Sequence, residues 1–321
     1  MDNPTINRQR NAFIALTASV LLWGGSFSAA SRLLQDLDPM TVMWLRMTLA
    51  SLAILPFIKK LAPPAGWRSE WKILLPMVLF QPCLYFLLES NALRFTSSSQ
   101  AGVISAFVPL LVALGAWLFL KEKLKLRGIL GLLMSITGIV FLTLMNSSSE
   151  SADKIILGNI MEVGAMVAAA SNMLIIKKLS DRYNPWTLTM MQCFAGFLFF
   201  SPGLLMLIQD MPQFTTKHVL LLLYLGAPVS LGAFGLYNWG MSHTSASGAS
   251  LFINLIPVVA VVLGWALLGE SLTLVQCIAS AAVLLGVVIS QSGDSVDERT
   301  VKNESRSSGS NNDPLCSARN L

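Results

Sequence analysis

The sequence predicts an all-α integral membrane protein whose ten transmembrane helices form two inverted five-helix repeats. Three observations carry that expectation: a composition too apolar for a water-soluble chain, apolar runs that recur along its whole length, and a register of prolines repeating at a fixed offset.

Of the 321 residues, 54% are hydrophobic and 12% charged, with a mean hydropathy of +0.64. Soluble globular chains carry about a quarter charged residues. Each run matches the roughly 20 residues that an α-helix needs to cross a bilayer's hydrocarbon, whereas the alternating strands of a membrane barrel, about ten residues each, are missing from the pattern.

The first run, from about Asn11 to Leu34, exceeds a signal peptide's apolar region, and acidic Gln35-Asp36-Leu37-Asp38-Pro39 follows it in place of a cleavage site. It is therefore expected to be the first span. Breaks at Gly, Pro, Asn and charged clusters then delimit ten spans, near 11–34, 40–60, 72–93, 97–120, 126–145, 155–178, 185–208, 215–239, 246–268 and 272–291. Residues 1–10 form a short N-terminus, and 292–321 a polar Ser- and Asn-rich tail expected to be disordered.

At an offset of 146, Pro39 falls on Pro185, Pro56 on Pro202 and Pro82 on Pro228; at 148, Thr96 falls on Thr244, Pro109 on Pro257 and Gly138 on Gly286. Residues 11–145 are thus expected to be one repeat and 155–291 the other. An odd number of spans per copy turns the second copy over relative to the first.

Charge agrees with that inversion. With both termini cytoplasmic, the inner segments hold Arg8, Arg10, Lys59, Lys60, Arg68, Lys72, Lys121, Lys123, Lys125, Arg127, Lys177, Lys178, Arg182, Arg299, Lys302, Arg306 and Arg319, which are 17 of the 22 basic residues. Segment KEKLKLR at 121–127 lies inside under this topology, and its copy GESLTLV at 269–275, on the outer face, has lost its lysines. Placement of Lys and Arg explains the net charge of +5 better than a nucleic-acid partner does. Trp67, Trp71, Trp117, Trp186 and Trp239 fall near the inner interface, with Trp44 and Trp265 nearer the outer one, as bilayer anchors would.

The segments TSSSQAGVISAFVPLLVALGAWLFLKEKLKLRGILGLLMSITGIV (96–140) and TSASGASLFINLIPVVAVVLGWALLGESLTLVQCIASAAVLLGVV (244–288) resemble the EamA-type domains of the drug/metabolite transporter superfamily. In each, small polar residues open a span, a proline follows mid-span, and an acidic residue marks the next interface. LLWGGSFSAASRLL (21–34) and DPMTVMWLR (38–46) are similar to the domain's opening. The resemblance covers about 11–291. It implies a central cavity lined by helices one to four and six to nine, peripheral fifth and tenth helices, and transport, most often export, of amino acids or similar small metabolites. Inverted repeats by themselves allow a carrier to rock around a midplane site. The expectation is a secondary transporter working by alternating access. Uptake or exchange of sugar phosphates or nucleotide-linked sugars is the alternative, disfavoured because such anions call for several cavity cations.

Ionisable groups inside hydrocarbon are costly. Those within spans are Arg46, Glu89 and Glu162, at similar depth toward the outer side. One reading has Arg46 bind a substrate carboxylate or hold a gate while Glu89 or Glu162 takes an amine or a coupling proton. The other is a salt bridge near the headgroups, with the long side chains snorkelling. Gln81, Tyr85, Gln100, Asn172, Tyr237, Asn238 and Asn254 are mid-span polar groups that must face the bundle interior; Gln81, Tyr85, Asn172, Tyr237 and Asn254 are expected on the substrate path, against the alternative of interhelical glue. Pro82, Pro109, Pro228 and Pro257 interrupt equivalent helices, as hinges or fixed kinks. The repeats differ where Gln192 replaces Arg46.

An enzyme would need a nucleophile, metal or acid–base set. The two histidines, His218 and His243, fall at predicted loop positions, and no HExxH or phosphate-binding glycine motif occurs. Scattered Cys83, Cys193, Cys277 and Cys316 suggest neither a disulfide frame nor a metal site. No cofactor is expected beyond a proton as coupling ion; the expected partners are the small-molecule substrate and the lipid bilayer, not nucleic acid, and the sequence leaves the oligomeric state open. A channel's selectivity ring would need a symmetry that Arg46 against Gln192 breaks. Short loops and cytoplasmic termini fit a bacterial inner membrane.

Overall fold

The structure, a computed structural model, describes residues 4–120, 126–144, 152–209, 211–244, 249–250 and 252–291. The predicted tail, Lys121 to Lys125 and most of the TSASGAS segment lie outside them. Every regular element among the described residues is helical.

In chain order these are α1 (Pro4–Leu33), α2 (Pro39–Ile54), α3 (Trp71–Val78), α4 (Tyr85–Ala92), α5 (Ser98–Ser105), α6 (Val108–Leu120), α7 (Leu126–Leu144), α8 (Ala152–Leu179), α9 (Pro185–Phe199), α10 (Pro202–Gln209), α11 (Thr216–Tyr224), α12 (Phe234–Ser242), α13 (Leu255–Leu268) and α14 (Leu274–Gln291). Continuous helical stretches long and apolar enough to cross a membrane number six among the described residues: Arg10–Leu33, Pro39–Phe57, Trp67–Ala92, Ser98–Gly115, Lys154–Leu179 and Thr216–Ser242. A seventh is α9 with α10, bent by 47°. The regions expected as spans five and nine contain the shorter apolar stretches Ile129–Gly138 and Phe252–Leu268.

Equivalent residues start equivalent helices. Asp38 accepts from the Met40 N–H at 2.8 Å ahead of α2, and Asn184 from the Trp186 N–H at 2.9 Å ahead of α9, each followed by proline at the first helical position. His218, expected at a loop position, instead occupies the first turn of α11 in a capping box with Thr215. Its signal was the Thr215–His218 spacing.

Prolines break the helices at matching places. Proline lacks the N–H for the helical ladder and pushes the preceding residue toward extended backbone. Gln81, before Pro82, accordingly has φ −146° and ψ 121° inside the π-type segment Leu79–Leu84 that joins α3 to α4. Its counterpart around Pro228 is a second π-type segment, Leu225–Ala233, joining α11 to α12. Pro109 follows the break between α5 and α6, and Pro257 follows the short 3₁₀ turn Phe252–Asn254 ahead of α13.

Packing is reciprocal between the halves. Helix α1 packs on α13, as α8 packs on α6; α4 packs on α8, as α12 packs on α1; α2 meets α9 and α5 meets α13. Helices α7 and α14 pack chiefly on one another and turn residues such as Leu130, Leu133, Leu274 and Ile278 outward. Trp67, Trp71, Trp117 and Trp265 are exposed, as anchors would be. Trp186 instead lies against Gly235, where a Cβ would collide with its ring.

Candidate functional site

Arg46, Glu89 and Glu162 are all buried, at 1%, 3% and 0% exposure. None of the three side chains reaches the protein surface. Arg46 Nε donates to Ser230 Oγ at 2.5 Å, and the guanidinium carbon lies 4.1 Å from the centre of the Phe86 ring. Ser230 in turn donates to the Leu225 carbonyl at 2.8 Å, within the π-type segment that contains Pro228. Arg46 Nη1 has no hydrogen-bond partner.

Tyr85 donates to Glu89 Oε1 at 2.6 Å. Glu89 lies within electrostatic range of both Arg46 and Glu162, yet no ion pair joins any two of the three. Both carboxylate oxygens of Glu162 are buried without a partner. Unpaired buried polar atoms cost stability, and they belong to few places in a folded chain.

The break at Gln81 organises a net of amides. Asn172 Nδ2 donates to Gln81 Oε1 at 2.9 Å. Gln192 Nε2 donates to the Gln81 backbone carbonyl at 3.0 Å and reaches Asn172 Oδ1 at 3.3 Å. Asn238 Nδ2 donates to Thr189 Oγ1 at 3.0 Å and Gln192 Oε1 at 3.4 Å. Helices from both halves thus meet at one residue whose backbone has left the helix.

Two cavities flank Gln81 and Phe234, which line both. One, the narrower, is lined also by Met47, Phe86, Thr189, Gln192, Cys193 and Ser230. The other is lined also by Trp23, Phe27, Tyr85, Ser105, Met166, Met173, Ile253 and Ile256. Trp23 stacks against Phe234 and Tyr237 at 5.0 and 4.8 Å, and its indole N–H is unpaired.

The structure therefore brings together Arg46, Gln81, Tyr85, Glu89, Glu162 and Asn172, with Pro82 beside them. Tyr237 lies behind Trp23, its hydroxyl 3.9 Å from Met173 Sδ, outside both linings. Asn254, Pro109, Pro228 and Pro257 are likewise outside them, though Ile253 and Ile256 neighbour Asn254 and Pro257 in sequence and line the larger cavity. Gln100 accepts from Thr96 at 3.0 Å, and Thr96 also contacts Asn159 at 2.7 Å. Sequence reasoning missed Trp23, Phe86, Thr189, Ser230 and Phe234. Ser230, two residues past Pro228, carried a signal as a small hydroxyl beside a predicted break; the aromatics carried none in so apolar a chain.

Three polar clasps tie the helix ends. Asp36 Oδ2 lies 3.2 Å from Arg32 Nη1 and 3.0 Å from His218 Nε2. At the position equivalent to Asp36, Arg182 pairs with Glu70 at 2.6 Å, while Tyr183 donates to the other Glu70 oxygen at 2.9 Å. Burial and the Glu70 carboxylate push the Tyr183 phenol up, which keeps it the donor. The third clasp is Glu270, whose carboxylate accepts from the N–H and hydroxyl of both Ser98 and Ser99 at 2.6–3.0 Å, at the start of α5. Among the described residues no three His, Cys, Asp or Glu side chains converge as metal ligands.

The family model described as the EamA-like transporter family matches residues 10–144 and again residues 156–291. Among curated relatives, an "Uncharacterized transporter" of Archaeoglobus fulgidus is 29% identical, covering 86% of this chain and 97% of that one. "Uncharacterized transporter YetK" of Bacillus subtilis is 23% identical over 88% of each chain. "Uncharacterized inner membrane transporter YhbE" of Escherichia coli is 26% identical over 76% of this chain and 77% of its own. One protein crystal structure shares the fold, with a TM-score of 0.60 at 18% identity across 87% of this chain and 96% of the other.

Proposed function

The chain belongs to the EamA-like transporter family, and from that premise we propose that it is a secondary transporter exporting amino acids or related low-charge solutes by alternating access. The observation that carries this reading is the pair of orphaned charges in one buried cluster: an Arg46 donor and the Glu162 acceptors, neither with a hydrogen-bond partner. A zwitterion offers the carboxylate that the first lacks and the ammonium that the second lacks. The apolar, aromatic walls of the neighbouring cavities suit a small side chain. Arg46 is the lone buried cation of the cluster, which weighs against multiply charged sugar phosphates.

In this reading the ten spans form repeats 11–145 and 155–291 of opposite orientation, in a bacterial inner membrane with cytoplasmic termini. Reciprocal packing of the halves supports the repeats. The clasps support the topology, since each joins segments expected on one face: Asp36 with His218 and Ser98 with Glu270 outside, Glu70 with Arg182 inside. Pro82 and Pro228, with Pro109 and Pro257, are the hinges, and Glu162 with Glu89 is the proton-coupling pair.

The test is counterflow in proteoliposomes preloaded with pooled amino acids or pooled sugar phosphates, with and without a pH gradient. Saturable amino-acid exchange, abolished by Arg46→Ala, is expected. Exchange confined to the sugar-phosphate pool would overturn the substrate class.

A further inference from the structure

Away from the charged cluster, a wide open cleft lies between the end of the second span, the loop after it, α3 and α9. Its walls are apolar, from Ile58, Trp67, Trp71, Leu75, Met191 and Phe194 among others. Water would find no hydrogen-bond partners against such walls, and a hollow of this kind in a bilayer is filled by hydrocarbon. Trp67 and Trp71 are 37% and 56% exposed, as interfacial indoles are.

The residues adjoining its lining distinguish this cleft from an ordinary lipid-facing surface. Lys59, Lys60, Arg68 and Lys72, each within one or two positions of a lining residue in sequence, are all exposed, and none forms an ion pair among the described residues; Arg68 lies 5.7 Å from the Trp67 ring. Glu70, the one carboxylate between 58 and 78, is committed to Arg182 and Tyr183. Four cations therefore neighbour, in sequence, the residues that line an apolar groove, and among the described residues none has an ion-pair partner. We infer that this groove binds an anionic phospholipid, its acyl chains against Trp71, Leu75 and Phe194 and its phosphate among Lys59, Lys60, Arg68 and Lys72. Basic residues at a membrane surface draw acidic headgroups additively, and a flat apolar face has no such selectivity. The inner-leaflet placement rests on the orientation proposed above; the headgroup chemistry does not.

The test uses the full chain in phosphatidylcholine vesicles containing rising fractions of phosphatidylglycerol, with one or the other lipid brominated along its acyl chains, and reads tryptophan quenching. Brominated phosphatidylglycerol is expected to quench at a mole fraction at least about fivefold lower than brominated phosphatidylcholine. Trp67→Phe with Trp71→Phe should remove that excess. Replacing Lys59, Lys60, Arg68 and Lys72 by Gln, all at exposed positions, should bring the ratio to about one while quenching by phosphatidylcholine persists. Equal quenching in the unmodified protein, or a preference surviving the four substitutions, would overturn the site. Shielding of both tryptophans from either lipid would also overturn it, in favour of a second copy seated on this face. Transport is not measured, so failure here leaves the substrate reading standing, and failure of counterflow leaves this one.

Discussion

Arg46 and Ser230 are 184 residues apart in sequence, and the bond between guanidinium and hydroxyl joins α2 to the proline break between α11 and α12. Arg46→Ala should cut exchange about 100-fold, since removing one member of a buried charged set costs roughly 3 kcal/mol or more. Lysine should not rescue it, because an ammonium cannot hold Ser230 and present a second, parallel donor to a carboxylate. Ser230→Ala, which removes one bond to a charge, should lose about tenfold. Initial rates of counterflow across a concentration series check all three, and an unchanged KM in Arg46→Ala would remove the residue from the substrate path.

Glu162 is buried with both oxygens unpaired. Glu162→Gln should therefore raise the melting temperature, by about 2–4 °C for each kcal/mol relieved, while exchange loses its dependence on the pH gradient. Thermal unfolding in detergent and paired counterflow assays read the two effects. Retained pH dependence would take coupling away from this residue.

Asn172 both donates to Gln81 and accepts from Gln192. Asn172→Ala strands two amides in the bundle and should destabilise the protein by about 1–3 kcal/mol. If the net also touches substrate, saturating substrate will protect the parent chain from heat more than the variant. Equal protection would mark the net as interhelical glue.

The clasps at the two ends are partly exposed, with side-chain exposures of 51% and 28% for Arg182 and Glu70 and 8% and 41% for His218 and Asp36. Pairs of this kind are worth about 0.2–1 kcal/mol, so their loss should shift a two-state population by at most about fivefold. Glu70→Gln should favour the form open at the Glu70 end, and Asp36→Asn the form open at the Asp36 end. Labelling rates of single cysteines placed near each clasp should therefore change in opposite directions in the two variants. A change of the same sign in both would argue against alternation between these ends.

Much of the fold was readable because a bilayer imposes length and polarity on each helix separately. Pro39 and Pro185 start helices, and Pro82 and Pro228 break them, through local backbone sterics that depend on no distant neighbour. Readability was lower for the site. Arg46, Glu89 and Glu162 stood out as charges in apolar runs, but the same runs hid Phe86 and Trp23, for one aromatic among many leucines carries no mark of the cavity it lines. Tyr237 and Asn254 show the converse, being polar and mid-span yet outside both cavity linings.

By itself, then, the sequence determined that the chain is helical and where its helices bend, because periodicity, proline chemistry and hydropathy act within a few turns of helix. Tertiary structure alone decided that the Arg46 guanidinium rests on Phe86 and Ser230, that Gln81 gathers Asn172 and Gln192, and that Glu162 is left without a partner. Those relations join residues from separate helices, and which faces meet is set by side-chain packing across the whole bundle rather than by any one segment.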